Sequence, residues 1–240
     1  MLLHTTLNGS GSPLLFLHAG LETGETDFVY QRDMLQSNFQ VVTMDLRGHG
    51  RSQTASLQAY FETCADDVAE TLLAHNIRSA FVVGASLGAL VALYIARLSP
   101  EMVTALAVHG IIAEKPANWS ELRFQEKAHY KALLENEAAA THFDNLHGKS
   151  WRAILRMAQE DDYYPFALTG NAADLSMPVL ICAGDKNLNE ASSLNVYKKQ
   201  LTNGRTVLVS NAGHLVHQDQ PAAYLTELLS FIHDYGGNDS

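Results

Sequence analysis

Residues 81–96, FVVGASLGALVALYIA, restrict the fold of this 240-residue chain more than any other stretch. Phe81-Val82-Val83 is a short apolar run of the kind that forms a buried strand. Gly84-Ala85-Ser86-Leu87-Gly88 is a turn. Ala89 to Ala96 is small and apolar, with high helix propensity. A strand, a G-x-S-x-G turn and a helix together are the setting of a nucleophile elbow. A serine on so tight a turn takes a strained backbone conformation, so the residues two before and two after it must be small. The N–H of Leu87 then lies at a helix N-terminus, where developing negative charge is favoured.

The chain around the elbow alternates strand and helix. Strands are expected at Leu2–Leu7, Leu14–Leu17, Phe39–Met44, Val103–Val108, Pro178–Ala183 and Arg205–Val209. Helices are expected at Phe28–Gln36, Ala59–His75, Glu190–Leu201 and Tyr224–Tyr235, with a frayed tail from Gly236 to Ser240. This order implies an α/β fold: a mostly parallel central sheet flanked by helices. Ligands of such sheets bind at the C-terminal ends of the strands, where Ser86, His18 and Asp45 all fall.

The alternation stops near Ile111. From Glu114 to about Ala173 no strand-like run appears, and Glu121–Glu137 and Ser150–Glu160 read as helices. A break of ~60 residues is long for an ordinary crossover. Residues 113–173 are therefore expected to form a helical cap, inserted in a core of residues 1–112 and 174–240. Its aromatic residues, Trp119, Tyr130 and Tyr164 among them, point to a substrate with an apolar or aromatic part.

Composition narrows the partners. The formal net charge is -10 and no basic run occurs, which argues against nucleic acid or an anionic membrane. Cys64 and Cys182 are far apart in apolar settings and read as small buried hydrophobes of a reduced compartment. No metal-ligand spacing is present. The first residues lack the basic start and apolar core of a signal peptide, and no run approaches the ~20 residues of a membrane span. A cytoplasmic location, a small-molecule substrate and no cofactor are the expectations.

Five motifs in order give the chain a family likeness. They are His18-Ala19-Gly20, DLRGHGRS at 45–52, GASLG at 84–88, PVLICAGDKN at 178–187 and AGHLVHQDQP at 212–221. With these landmarks the chain resembles the α/β-hydrolase superfamily over nearly its whole length. The few N-terminal strands imply that the first of the family's usual eight is missing. The resemblance implies Ser86 as nucleophile, His214 as its base, and the N–H groups of Leu87 and Gly20 as oxyanion donors. His217, on the same loop, is the rival base. His18 would shape the oxyanion loop, and Asp45, Arg47 and Arg51 would hold the adjacent turn.

The third member departs from the family pattern. After the strand at 178–183 the resemblance expects G-x-x-D, and the chain reads Gly184-Asp185-Lys186-Asn187. Asn187 occupies the acid's position and could orient His214 through its amide oxygen. Asp185 is the alternative, through a shifted turn. A degraded triad is the third reading. Three functions stay open accordingly: a serine hydrolase of a small ester, lactone, thioester or activated ketone; a ligand-sensing module with a weakened triad; and a lyase or synthase on the same scaffold.

Overall fold

A computed structural model of the protein describes residues 1–54 and 56–235. The tail expected at Gly236–Ser240 lies outside them. Seven strands form one sheet in the order β1-β3-β2-β4-β5-β6-β7. They are β1 (Thr5–Asn8), β2 (Pro13–Leu17), β3 (Gln40–Met44), β4 (Ala80–Ala85), β5 (Val103–His109), β6 (Val179–Gly184) and β7 (Gly204–Val209). β1 pairs antiparallel with β3, and every other pairing is parallel. Among the described residues the sheet thus has seven strands rather than the usual eight of the family it resembles.

Parallel strands covered on both faces need apolar side chains at every position, not at alternate ones. The runs PLLFL, AFVVGA and VLICAG satisfy this, and their residues divide by parity. Leu15, Leu17, Val82, Leu106, Val108 and Ile181 pack on one face, against α2 (Tyr60–Ala74), α3 (Leu87–Leu98) and α8 (Leu188–Gln200). Leu14, Phe16, Val83, Ala107 and Leu180 pack on the other, against α1 (Val29–Leu35) and α10 (Pro221–Tyr235). Cys64 and Cys182 are free and buried, and burial pushes both thiols up to about 12.

Between β5 and β6 the chain inserts four helices: α4 (Trp119–Glu135), α5 (Glu137–His147), α6 (Trp151–Ala158) and α7 (Phe166–Thr169). The sequence suggested two. α5 and α7 are the additions; Asn136 starts α5 as its N-cap, accepting the Ala139 N–H at 3.0 Å. Gly148, at φ 60°, ends α5. Arg123 on α4 donates to the Ala158 and Glu160 carbonyls at the end of α6. His147 ties the insertion to the core. Its Nδ1 accepts the Gly50 N–H at 2.9 Å and its Nε2–H donates to the Leu21 carbonyl at 3.0 Å.

The turn after β3 is held by charge. Arg47 makes a two-pronged pair with Asp67 on α2, at 2.6 and 3.0 Å, with both side chains buried. Asp45 accepts the Gly24 and Arg51 N–H groups at 2.9 and 2.8 Å. Removing one partner of such a pair strands a buried charge. Asp67→Ala is therefore expected to lower stability by about 3–5 kcal/mol, read as a shift of the urea midpoint.

Candidate active site

β4 ends at Ala85 and α3 begins at Leu87, which leaves Ser86 alone on the turn with φ 52° and ψ −111°. A non-glycine residue rarely adopts this conformation, and it costs of order 1–3 kcal/mol. The flanking glycines permit it. A Cβ on Gly84 would lie 2.5 Å from the Gly88 carbonyl oxygen, and one on Gly88 would lie 2.1 Å from that of Leu17. The Ser86 N–H donates to the His109 carbonyl at 2.9 Å. Its Oγ is 2.8 Å from Nε2 of His214.

His214 stands on the loop after β7. Gly213 braces that loop by donating its N–H to Asp219 at 2.6 Å, at the end of a short helix, α9 (Val216–Asp219). Nδ1 of His214 donates to Oε1 of Glu190 at 2.6 Å. A proton fixed on Nδ1 leaves the Nε2 lone pair facing the Ser86 hydroxyl. Some 47% of the His214 side chain is accessible, and it lines the pocket above Ser86. Burial disfavours the imidazolium; the hydrogen bond and charge of Glu190 outweigh it, so the pKa of His214 is raised above 6.5.

The carboxylate on His214 is therefore neither of the groups the sequence pointed to. Asn187 makes no hydrogen bond with His214, and neither does Asp185. Asn187 is the N-cap of α8: its Oδ1 accepts the Glu190 N–H at 3.3 Å, and its Nδ2 donates to Glu190 Oε1 at 2.6 Å. Asp185 turns its backbone N–H to the Val209 carbonyl, and its Oδ1 is buried without a partner among the described residues. Glu190 sits three residues after Asn187, one helical turn on and on the same side. The carboxylate has moved one turn down α8, and an amide at the family's acid position holds it from above. The available signal was N-x-x-E, a capping pattern that sets a helix start at Asn187. Placing that start at Glu190 hid it.

The other expected residues gather as follows. His217 does not reach Ser86; it is buried and bonds to Asp27 and His109. His18 donates Nδ1–H to the Ala19 carbonyl at 2.7 Å and accepts the Leu46 N–H on Nε2 at 2.9 Å. Burial lowers its pKa. It thus joins the Ala19-Gly20 turn to the turn after β3. Gly20 and Leu87 are neighbours; a Cβ on Gly20 would lie 3.9 Å from that of Leu87. Among the described residues neither N–H has an acceptor, and both residues line the pocket.

That pocket has two lobes, of about 360 and 370 Å³, which share Gly20, Ser86, Leu87, Glu126, Tyr130, Tyr163 and His214. One continues past Trp119, Arg123, Tyr164 and Asn189, with Leu90, Ile112 and Leu122 beside them, and mixes polar, aromatic and aliphatic groups. The other continues past Leu21, Leu133, Ile154, Leu155 and Leu215 and is aliphatic. α4 lines both lobes, and α6 lines the aliphatic one. Among the described residues no helix is long and apolar enough to cross a membrane.

The chain as a whole is similar to known proteins. The model of the alpha/beta hydrolase family matches residues 13–227. A candidate carbamate hydrolase, RutD, from Enterobacter cloacae is 26% identical, with 92% of this chain and 91% of that protein covered. Among solved structures, NosK from Streptomyces actuosus superposes with a TM-score of 0.82 at 24% identity, covering 94% of this chain and 99% of NosK. Est816, described as an N-acyl homoserine lactone degrading enzyme, superposes with a TM-score of 0.75 at 21% identity, covering 95% and 96%. At such identities the two structures speak for the fold. The family match over nearly the whole length is what assigns the chain: it belongs to the alpha/beta hydrolase family and is a hydrolase of that type.

Proposed function

We propose that the protein is a serine hydrolase that cleaves a small ester-type carbonyl substrate through an acyl-Ser86 intermediate. The observation that carries this reading is the unbroken chain Ser86 Oγ, His214, Glu190, at 2.8 and 2.6 Å. A serine hydroxyl near neutral pH needs a base and waiting donors. His214 Nε2 takes the Ser86 proton as Oγ attacks the carbonyl carbon. Glu190 holds the imidazole in the required tautomer and stabilises the imidazolium. The Leu87 and Gly20 N–H groups receive the oxyanion. The imidazolium then gives its proton to the leaving alcohol or thiol. Water, deprotonated by the same imidazole, releases the acid and restores Ser86.

The weakened-triad reading rested on Asn187 standing where a carboxylate belongs. With Glu190 on the histidine, that motive disappears. Residues 113–173 serve as a cap that shields the intermediate from bulk water. The two lobes diverge from Ser86, so acyl and leaving groups occupy different walls. The aliphatic lobe suits a hydrocarbon portion, and the mixed lobe, with Arg123, Asn189 and Trp119, a portion that carries hydrogen-bonding groups on an apolar frame. The relative RutD is named for carbamate hydrolysis, and a carbamate carbonyl is attached to heteroatoms, which agrees with this class.

The test is a fluorophosphonate probe followed by a p-nitrophenyl ester series from acetate to octanoate. Labelling is expected on the peptide carrying Ser86, and turnover is expected to favour chains long enough to enter the aliphatic lobe. A chain that neither labels at Ser86 nor turns over any ester would sink the reading.

A further inference from the structure

Beneath the site lies a second group of ionisable side chains that the reaction does not use. Asp27, His217 and His109 are 2%, 2% and 0% exposed. Oδ1 of Asp27 is 2.5 Å from Nε2 of His217, and Nδ1 of His217 is 2.8 Å from Nε2 of His109. The other Asp27 oxygen accepts the Ala19 N–H at 2.8 Å, immediately before Gly20. Gln218 Nε2 and the Phe28 N–H also donate to this carboxylate, at 2.9 and 3.1 Å. Phe28, at φ 51°, stacks on the His217 ring with centroids 4.0 Å apart. At the far end, the His109 carbonyl accepts the Ser86 N–H.

The protons can be assigned along this row. An ionised Asp27 only accepts, so Nε2 of His217 carries hydrogen, and in the neutral imidazole its Nδ1 is a lone pair. That lone pair accepts from Nε2–H of His109. Nδ1 of His109 then bears no hydrogen, which fits its burial without a partner among the described residues. Burial holds His109 well below the usual histidine range. Burial opposes the Asp27 charge, but the bond to His217 and the other donors outweigh it and keep the carboxyl below its ordinary value.

We propose that Asp27, His217 and His109 are positioning residues that set the distance between the oxyanion loop, the His214 loop and the elbow; the proposal rests on the serine-hydrolase reading for its catalytic effect. The three catalytic parts come from distant places in the chain, after β2, β7 and β4. Asp27 grips Ala19, beside Gly20. His217 lies three residues beyond His214 and is held by Asp27 on one side and His109 on the other. The Gln31 side chain also donates to the His217 carbonyl, at 3.0 Å. His109 holds the Ser86 backbone. One buried row therefore touches all three loops on the side away from substrate. Losing it should loosen donors and base together while leaving the pocket walls in place.

The experiment compares Asp27→Asn, His217→Leu and His217→Gln, each first shown to be folded by thermal melting. Steady-state kinetics on p-nitrophenyl butyrate and amide hydrogen exchange of residues 14–24 and 210–220 are then measured. Misplacement near 1 Å can cost on the order of 10²-fold. Asp27→Asn and His217→Leu are expected to lower kcat by about 10- to 100-fold with KM within about twofold, and to speed exchange in both segments. His217→Gln keeps a donor for Asp27 and is expected to recover most of the loss. Folded variants that melt lower yet keep wild-type kcat would overturn the proposal, as would exchange rising in one segment alone. If Asp27→Asn fails to fold, the His217 pair decides. A wild-type protein inert toward esters would defeat the hydrolase reading, and the exchange data would still decide whether the row couples the two loops.

Discussion

Glu190→Gln is expected to lower kcat on a p-nitrophenyl ester by about 10⁴-fold, as replacing a triad carboxylate by its amide does elsewhere. The substitution keeps the shape of the side chain but loses the charge and places an NH2 donor beside Nδ1, so a proton is no longer fixed on His214 Nδ1. The imidazole can then turn its N–H toward Ser86, where it cannot act as base. The pH profile should move as well. Catalysis needs the neutral imidazole, so activity is lost as pH falls through the pKa of His214. Glu190 raises that pKa above 6.5 against the opposing effect of burial. The acid limb of wild-type kcat/KM should therefore lie above 6.5, and in Glu190→Gln it should move to lower pH. Asn187→Ala should behave differently. It removes a cap of α8 and one donor to Glu190, with a stability cost of about 1 kcal/mol, but leaves the carboxylate on His214.

The largest loss is expected at the elbow. Ser86→Ala should reduce kcat by about 10⁶-fold, leaving the residual rate that oxyanion donors and binding supply. The same position should also show opposite effects on activity and stability. Ser86 holds φ 52° and ψ −111°, a conformation glycine adopts readily. Ser86→Gly is expected to be as inactive as Ser86→Ala and more stable than it by about 1 kcal/mol, measured by urea unfolding of the two variants.

Much of this site was legible in the residues because the fold leaves few alternatives there. Gly84 and Gly88 are demanded by backbone atoms 2.5 and 2.1 Å from their missing Cβ positions, so the elbow announces itself as G-x-S-x-G. The central strands read as continuous apolar runs since both faces of the sheet are covered. The polar end of the triad was harder. A histidine needs only some carboxylate oxygen at Nδ1, and a helix can deliver one from either of two successive turns. The chain keeps the turn at Gly184–Asn187, places an amide at the expected position and supplies the acid from Glu190. Sequence distance from a motif does not reveal that shift; helical spacing from an N-cap does. The row from Asp27 to His109 was hidden for a different reason. Its members lie 82 and 108 residues apart along the chain, and only the sheet order brings β5, the loop after β2 and α9 together.

The most direct test of the triad is the rate of fluorophosphonate labelling of Ser86 in Asp185→Asn, Asn187→Ala and Glu190→Gln, measured side by side. Labelling depends on the base and the oxyanion donors but not on substrate identity. The arrangement Ser86–His214–Glu190 predicts a fall of about 10³-fold or more in Glu190→Gln alone, with the other two within about tenfold of wild type. Near-normal labelling in Glu190→Gln, with the large fall in Asp185→Asn or Asn187→Ala, would contradict it.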